Sequence, residues 1–194
     1  MTLRKSNAPY GYKKLLVYTK AEELQRACAT LTSHFPRSKT LYALADQMDR
    51  SARSVKQNIV EGWKRNSTKE YYEFLGFSLG ANAELEEDCN DIIKGVYEMG
   101  GRGITRKGVM GERGVMGIDE VERLPFYPLN PLLPPLVQLK LRCKELDMLL
   151  SKLQSSLENK MSTEHGLSLS DKLHRAAERE RAHDEWLRHQ REKL

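Results

Sequence analysis

Five cations crowd one short stretch of this 194-residue chain: Arg50, Arg53, Lys56, Lys64 and Arg65. Ammonium and guanidinium groups clustered in this way neutralise phosphates, so the stretch is a candidate footprint for RNA or DNA. From Arg37 to Lys69 there are eight Lys or Arg against three acids, a surplus equal to the net charge of +5 of the whole chain. A solvated helix face would carry the same charges, and the sequence leaves both readings open. Three further patterns have the spacing of chemical sites. Gly76-Phe-Ser-Leu-Gly80 matches the nucleophile elbow of serine hydrolases, which requires a strand, a strained turn and then a helix. Here it lies inside continuous helical periodicity, where two small residues four apart serve instead to let a neighbouring helix approach. Gly103-Ile-Thr-Arg-Lys-Gly108 has the glycine spacing of a phosphate loop, but Val109 stands where a lysine must reach the phosphates. Glu180-Arg-Ala-His183 has the spacing of a di-iron ligand pair, without the second pair and the two further glutamates such a centre needs. No constellation supports an enzyme, a metal or a cofactor.

The element that must position the cations is a helix. Leu41, Leu44, Met48, Ala52, Val55, Ile59 and Trp63 recur in steps of three and four, one buried stripe of a helix from about Leu41 to Arg65. Ser51, Ser54, Asn58 and Glu61 sit between stripe and solvent. Gly62 costs about 1 kcal/mol of helix propensity relative to Ala, which suggests close backbone approach or a cap. Before this helix, Val17, Ala21, Leu24, Cys28 and Leu31 mark a first one from Tyr12 to about Ser33, ended by Phe35-Pro36. The link Pro36–Thr40 is short enough to make the two antiparallel neighbours. Ser67-Thr-Lys-Glu70 reads as a capping box opening a third helix. Its stripe is Tyr71, Leu75, Ser78, Asn82, Leu85, Cys89, Ile92 and Val96, widened by Tyr72, Phe74, Phe77 and Ile93. The polar members Ser78 and Asn82 predict buried hydrogen bonds, with Ser54 or Asn58 as partners. Together Ser54, Asn58, Glu61, Ser78 and Asn82 form the expected structural polar core.

Residues 100–135 break every pattern with seven glycines and five prolines, and read as a mobile loop. A fourth helix follows, with Leu132, Leu136, Leu139, Cys143, Leu146, Leu150, Leu153 and Leu157 on a 3.5-residue seam. Leu133, Leu141 and Leu149 beside that seam read first as bundle core, and also hint at a second contact surface and oligomerisation. From Asp171 to Leu194 seven Lys or Arg alternate with six acids, a charge-laced solvent helix that can dock through Trp186. Cys28, Cys89 and Cys143 fall on apolar stripes and read as small core residues rather than a disulfide or zinc framework. No run approaches the ~18 apolar residues of a membrane span, and Met1–Pro9 lacks the apolar core of a signal peptide. An intracellular, cytoplasmic protein is expected. The fold class is all-α: an antiparallel up-down four-helix bundle over residues 12–160, carrying a Gly/Pro-rich insertion at 100–131. A flexible leader at 1–11 precedes it and a charged tail helix at 161–194 follows.

Arg50-Ser-Ala-Arg-Ser-Val-Lys-Gln-Asn-Ile-Val-Glu-Gly62 resembles the signature of the bacterial four-helix-bundle proteins encoded by intervening sequences in large-subunit ribosomal RNA genes. Ser67-Thr-Lys-Glu-Tyr-Tyr-Glu-Phe-Leu75 and Leu79-Gly-Ala-Asn-Ala-Glu-Leu-Glu86 look like that family's next block. Val17 to Leu31 with Phe35-Pro36 fit its first helix and turn, so the resemblance covers about residues 12–99 plus the fourth helix. The same family includes the accessory variability protein of diversity-generating retroelements. The resemblance implies a homopentameric barrel of bundles, with Arg50, Arg53, Lys56, Lys64 and Arg65 available to nucleic acid. The Gly/Pro segment and the charged tail are more similar to the family's "suffix"-type members. The function expected is non-enzymatic, largely sequence-independent nucleic-acid binding. The alternative is a protein-interaction scaffold, engaging a partner through the fourth helix or the tail.

Overall fold

Two serines open two of the long helices, each by supplying an acceptor to a backbone amide that has no partner within its own helix. The computed structural model describes residues 9–97 and 116–165, with residues 174, 177, 178, 180–182, 184, 185, 188 and 189 of the tail. A 3-10 turn at Gly11–Lys14 leads into α1, Leu16–Thr32. Ser38 accepts from the Leu41 amide at 3.3 Å and starts α2, Lys39–Lys64. Ser67 accepts from the Glu70 amide at 3.1 Å and starts α3, Thr68–Lys94. Its hydroxyl in turn donates to the Glu70 carboxylate at 2.7 Å, closing the cap between side chains. α3 ends on Gly95 at a φ of +80°, where the Val96 amide donates to the Asp91 carbonyl and the Gly95 amide to that of Ile92. This is a Schellman stop, and it turns Val96 out to solvent rather than into the stripe. The short α4, Ile118–Glu122, and α5, Pro135–His165, complete the described helices.

Cross-helix partners descend along one helix as they ascend along the next, so neighbours are antiparallel. Ser51 and Val55 of α2 meet Glu84 and Ser78 of α3. Asn82 and Tyr72 of α3 meet Cys143 and Gln154 of α5. Lys20 and Glu23 of α1 pair with Glu145 and Arg142 of α5 at 3.1 and 3.2 Å. α1, α2, α3 and α5 thus close a ring, the up-down bundle expected of the all-α pattern. Its interior holds Leu24, Met48, Ile59, Leu75, Leu85, Leu139 and Leu146, all sealed from solvent. Burial of each such side chain contributes about 1.5–3 kcal/mol. Cys28, Cys89 and Cys143 are free and buried there, and desolvation pushes their thiols well above the ordinary range.

Three expectations are corrected, and the leucines beside the α5 seam fall to the bundle core, the first of their two readings. α5 begins at Pro135, not Leu132, because the Pro134-Pro135 pair favours a helix start and excludes the residues before it; Leu132 is 91% exposed. Leu141 is fully buried, and Leu133 and Leu149 pack against the core, because α5 faces both α1 and α3 and uses a wider face than a coiled-coil seam. Phe77 is exposed rather than part of the α3 stripe, since it lies one residue before buried Ser78 and so about 100° away from it. Residues 116–134 are docked on the bundle rather than free: Val121 is fully buried, and Met116, Ile118, Leu124, Phe126 and Leu129 pack on the core. Residues 98–115, with Gly103–Gly108, lie outside the described residues, as do His183 and Trp186.

What holds α4 down was not visible in the apolar pattern. Lys140 of α5 has no solvent exposure, and its ammonium donates to Asn90 Oδ1 and Glu122 Oε1, with Glu86 Oε1 at 3.5 Å. Lys144 adds a second contact to Glu122, at 2.6 Å. These hydrogen bonds from Lys140 and Lys144 hold the Glu122 carboxyl below its usual range, whereas burial outweighs Lys140 and raises Glu86. Lys140 lies four residues after Leu136, beside the apolar stripe, where a lysine reads as a break in the pattern rather than as a core residue.

Asp88 of α3 is a second buried strain. Its Oδ2 is buried without a hydrogen-bond partner among the described residues. Burial, then Asp91 and Glu84, push its carboxyl up to about 6 from 3.8. Between these values the folded protein holds a proton that the unfolded chain has released, so this group makes stability fall as pH rises through the window. Asp88→Asn should flatten that fall and raise stability at pH 7 by about 1 kcal/mol after allowing for its partial exposure, read from urea melts across pH. For the lysine, Lys140→Met should cost about 1 kcal/mol or less, because its carboxylate partners can rehydrate. Glu86→Gln with Glu122→Gln strands the ammonium and should cost about 3 kcal/mol in the same melts.

Candidate nucleic-acid interface

Buried polar bonds fix the rotation of α2, and that rotation decides which side chains face solvent. Ser78 Oγ donates to the Val55 carbonyl at 2.9 Å, and Ser51, itself buried, donates to Glu84 at 3.3 Å. Asn82 Nδ2 donates to the Cys143 carbonyl at 2.9 Å and holds α3 against α5. Ser78 and Asn82 are therefore buried and bonded, but to backbone carbonyls rather than to Ser54 or Asn58. Ser54 and Glu61 lie on the solvent side and Asn58 is half-buried. The 100° step per residue explains the correction: Ser54 precedes buried Val55 by one residue, and Glu61 follows buried Ile59 by two, which carries both off the core face. Ser51 takes the place expected for Ser54. The Ser78 hydroxyl, committed to a carbonyl in the middle of a helix and sealed from solvent, has nothing of an exposed nucleophile. A Cβ at Gly76 would stand 3.4 Å from Gln154 Nε2, the end of a flexible side chain, and one at Gly80 would meet nothing within 4 Å, so that glycine pair does not seat a neighbouring helix.

With the core side of α2 so fixed, Arg50, Arg53, Lys56 and Lys64 fall within about a third of its circumference, on the outward side. Arg50, Arg53 and Lys64 are exposed and Lys56 is half-buried. Arg50 pairs with Asp46 at 2.8 Å, one turn earlier, and both are well exposed. Arg53 and Lys56 make no ion pair among the described residues. Asp49, the remaining acid of the helix, is turned toward α1, where it accepts from Thr32 Oγ1 at 3.1 Å. Arg65 follows the last turn, 3.8 Å from Glu61, with its guanidinium 4.4 Å from the Phe74 ring. Exposed pairs of this kind are worth a few tenths of a kcal/mol and exchange readily for a phosphate.

The end of the face is built by α2, α3 and the first turn together. Lys64 Nζ lies 4.8 Å from the Tyr10 ring centre and Lys13 Nζ 5.6 Å from it. Lys13 and Lys14 are exposed and extend the cationic surface beyond α2. They were missed in the sequence, although the run Tyr10-Gly-Tyr-Lys-Lys14, aromatic and basic together, is a signal for them. Gly62 permits the junction: a Cβ there would stand 2.8 Å from Phe74 Cβ and 2.8 Å from Tyr71 Cδ2. The close approach that brings Phe74 beneath Arg65 thus needs a residue with no side chain.

These helices and this face define the protein as an antiparallel helical bundle with one strongly cationic outer helix. Residues 13–94, which hold α1, α2 and α3 and make up less than half of the chain, match the model of the 23S rRNA-intervening sequence protein family. The match stops at the end of α3, so α4, α5 and the tail lie outside it. No curated protein matches the chain.

Gly62→Ala should lower stability by about 1–3 kcal/mol through overpacking against Tyr71 and Phe74. Thermal melts of the variant beside wild type give the value, and an unchanged midpoint would mean that α2 and α3 separate there at no cost.

Proposed function

We propose that this protein is a non-enzymatic accessory protein that binds RNA or DNA through the outer face of α2, largely without regard to sequence. The observation that carries this reading is the pair Arg53 and Lys56. They make no ion pair among the described residues, on a face where Arg50 and Lys64 are exposed beside them. Cations on such a face displace the counterions condensed on a polyphosphate, and their release into solution favours binding, so affinity falls steeply with salt. Nothing on α2 has the base-reading geometry of a recognition helix, and backbone electrostatics accounts for binding without it. The match of α1, α2 and α3 to a family named for an interruption of ribosomal RNA supports an RNA ligand. The resemblance also supports a homopentamer, and the reading places it in the cytoplasm and assigns it no metal or cofactor. No helix among the described residues is long and apolar enough to cross a membrane.

A second reading, a protein-interaction scaffold, is favoured by the opposite end of the bundle. There the chain between α4 and α5 exposes Tyr127 and Leu132, and the end of α3 exposes Val96. Light-scattering mass with and without mixed RNA, at about 50 and about 500 mM salt, separates the two. Nucleic-acid binding gives an oligomer that gains RNA mass only at low salt. Arg50→Gln, Arg53→Gln and Lys64→Gln together should abolish that gain, with the log–log salt slope of any residual binding reduced by about three. An oligomer indifferent to RNA at both salts overturns the reading in favour of the scaffold.

A further inference from the structure

Tyr10 lies just beyond the cationic face of α2 and takes no part in the core. The residue is 67% exposed, yet it is not loosely held. The Lys13 amide donates to the Tyr10 carbonyl at 3.1 Å, forming the 3-10 turn. Two residues on, Tyr12 is buried, edge to face with Tyr18 at 5.0 Å. An anchored turn therefore presents an open aromatic ring at a fixed place. Two ammonium groups, those of Lys64 and Lys13, lie over that ring. Exposed Phe77 lies on α3, off the α2 face; exposed Tyr42 lies on that face, about 12 Å before Arg50 along the axis, but neither ring has a cation over it among the described residues.

We propose that Tyr10 is a stacking platform for an unpaired nucleobase, with Lys13 and Lys64 taking the phosphates on either side of it. The preferred ligand of the α2 face is then single-stranded RNA or DNA. This inference rests on the nucleic-acid reading above and names the strand form that the same surface selects. Every base has a π face, so stacking adds affinity without demanding a sequence. Lysine stems are long and flexible, so ammonium groups resting on the ring in the free protein can swing to phosphates and leave the ring to a base. Arg53 and Lys64 are separated by about 16 Å along the helix axis, a track for several phosphates that ends at the ring. A duplex can lie along the track, but its bases are stacked inside it and reach Tyr10 only after unstacking.

The test uses the full-length protein, a labelled RNA of about 12 nucleotides and the blunt duplex of the same sequence, by fluorescence anisotropy at low salt. Wild type should bind the single strand more tightly than the duplex. Tyr10→Ala should weaken single-strand binding roughly tenfold and leave duplex binding unchanged, while Tyr10→Phe keeps the single-strand affinity. A Tyr10→Ala protein that binds the single strand as wild type does, or loses both ligands alike, overturns the stacking platform. Arg53→Gln with Lys56→Gln tells that failure from a failure of the parent reading. This pair removes charge remote from the ring and should weaken both ligands if electrostatics governs binding. Wild type binding neither ligand overturns both.

Discussion

A lysine ammonium cut off from water must be surrounded by acceptors, and one half of this molecule is arranged to meet that demand. Desolvating an ammonium costs several kcal/mol, and the attraction of its partners offsets this only when the geometry is good. Lys140 recruits Asn90 and Glu86 from α3 and Glu122 from α4, so two separate pieces of chain converge on one nitrogen of a third. Glu122 is on the shortest of the described α-helices, five residues that could not hold a helical shape unaided. Val121 beside it fills an apolar site while Glu122 completes the polar one, and the two together dock α4. The connection between α3 and α5 is thereby tied to the bundle over its second part.

The other half of the molecule is organised by close approach rather than by charge. Gly62 lets the start of α3 lie against the end of α2, and Trp63 and Tyr71 meet edge to face at 6.1 Å across that contact. The turn before α1 adds Tyr12 and Tyr18 to the same end. Aromatic packing of this kind is rigid without needing buried charge. Lysines and arginines are free to stay outside, resting on the rings of Tyr10 and Phe74. The division is physically reasonable. Charge at the α4 end is consumed in internal pairing, while charge along α2 is left at the surface.

Periodicity made the helices legible because burying one apolar stripe drives each helix onto its neighbours, and that stripe repeats every three or four residues. It placed α1, α2 and α3 well, and capping chemistry at Ser67 fixed a boundary. It failed where a single polar atom decides. Lys140 looks like a break in a leucine seam, and only the positions of Glu86, Asn90 and Glu122 in space make it a core residue. The partners of Ser78 and Asn82 were misassigned for a related reason. A side-chain pattern suggests side-chain partners, yet each group found a backbone carbonyl. Docking of residues 116–134 was obscured by their glycines and prolines, although Ile118, Val121, Leu124 and Phe126 supply the apolar side chains that hold them. The cations of α2 were legible individually. Their shared outward orientation follows from the stripe opposite them, whereas their continuation to Lys13 depends on a turn that no periodicity describes.

The acids on the α2 face decide how that surface behaves toward a polyanion. Asp46 and Glu61 each stand one turn before an arginine, Arg50 and Arg65, in pairs exposed on both sides. Such pairs contribute a few tenths of a kcal/mol, and ordinary salt screens them further. A phosphate chain offers each guanidinium a stronger, often bidentate, partner and releases condensed counterions as it does so. The acids therefore hold the arginines extended along the helix in the free protein without outcompeting a nucleic acid for them. Arg53 and Lys56 carry no such restraint and form the electrostatic centre of the face. A surface built in this way attracts through its middle and orients through its ends, which suits a long polyanion better than a small anion.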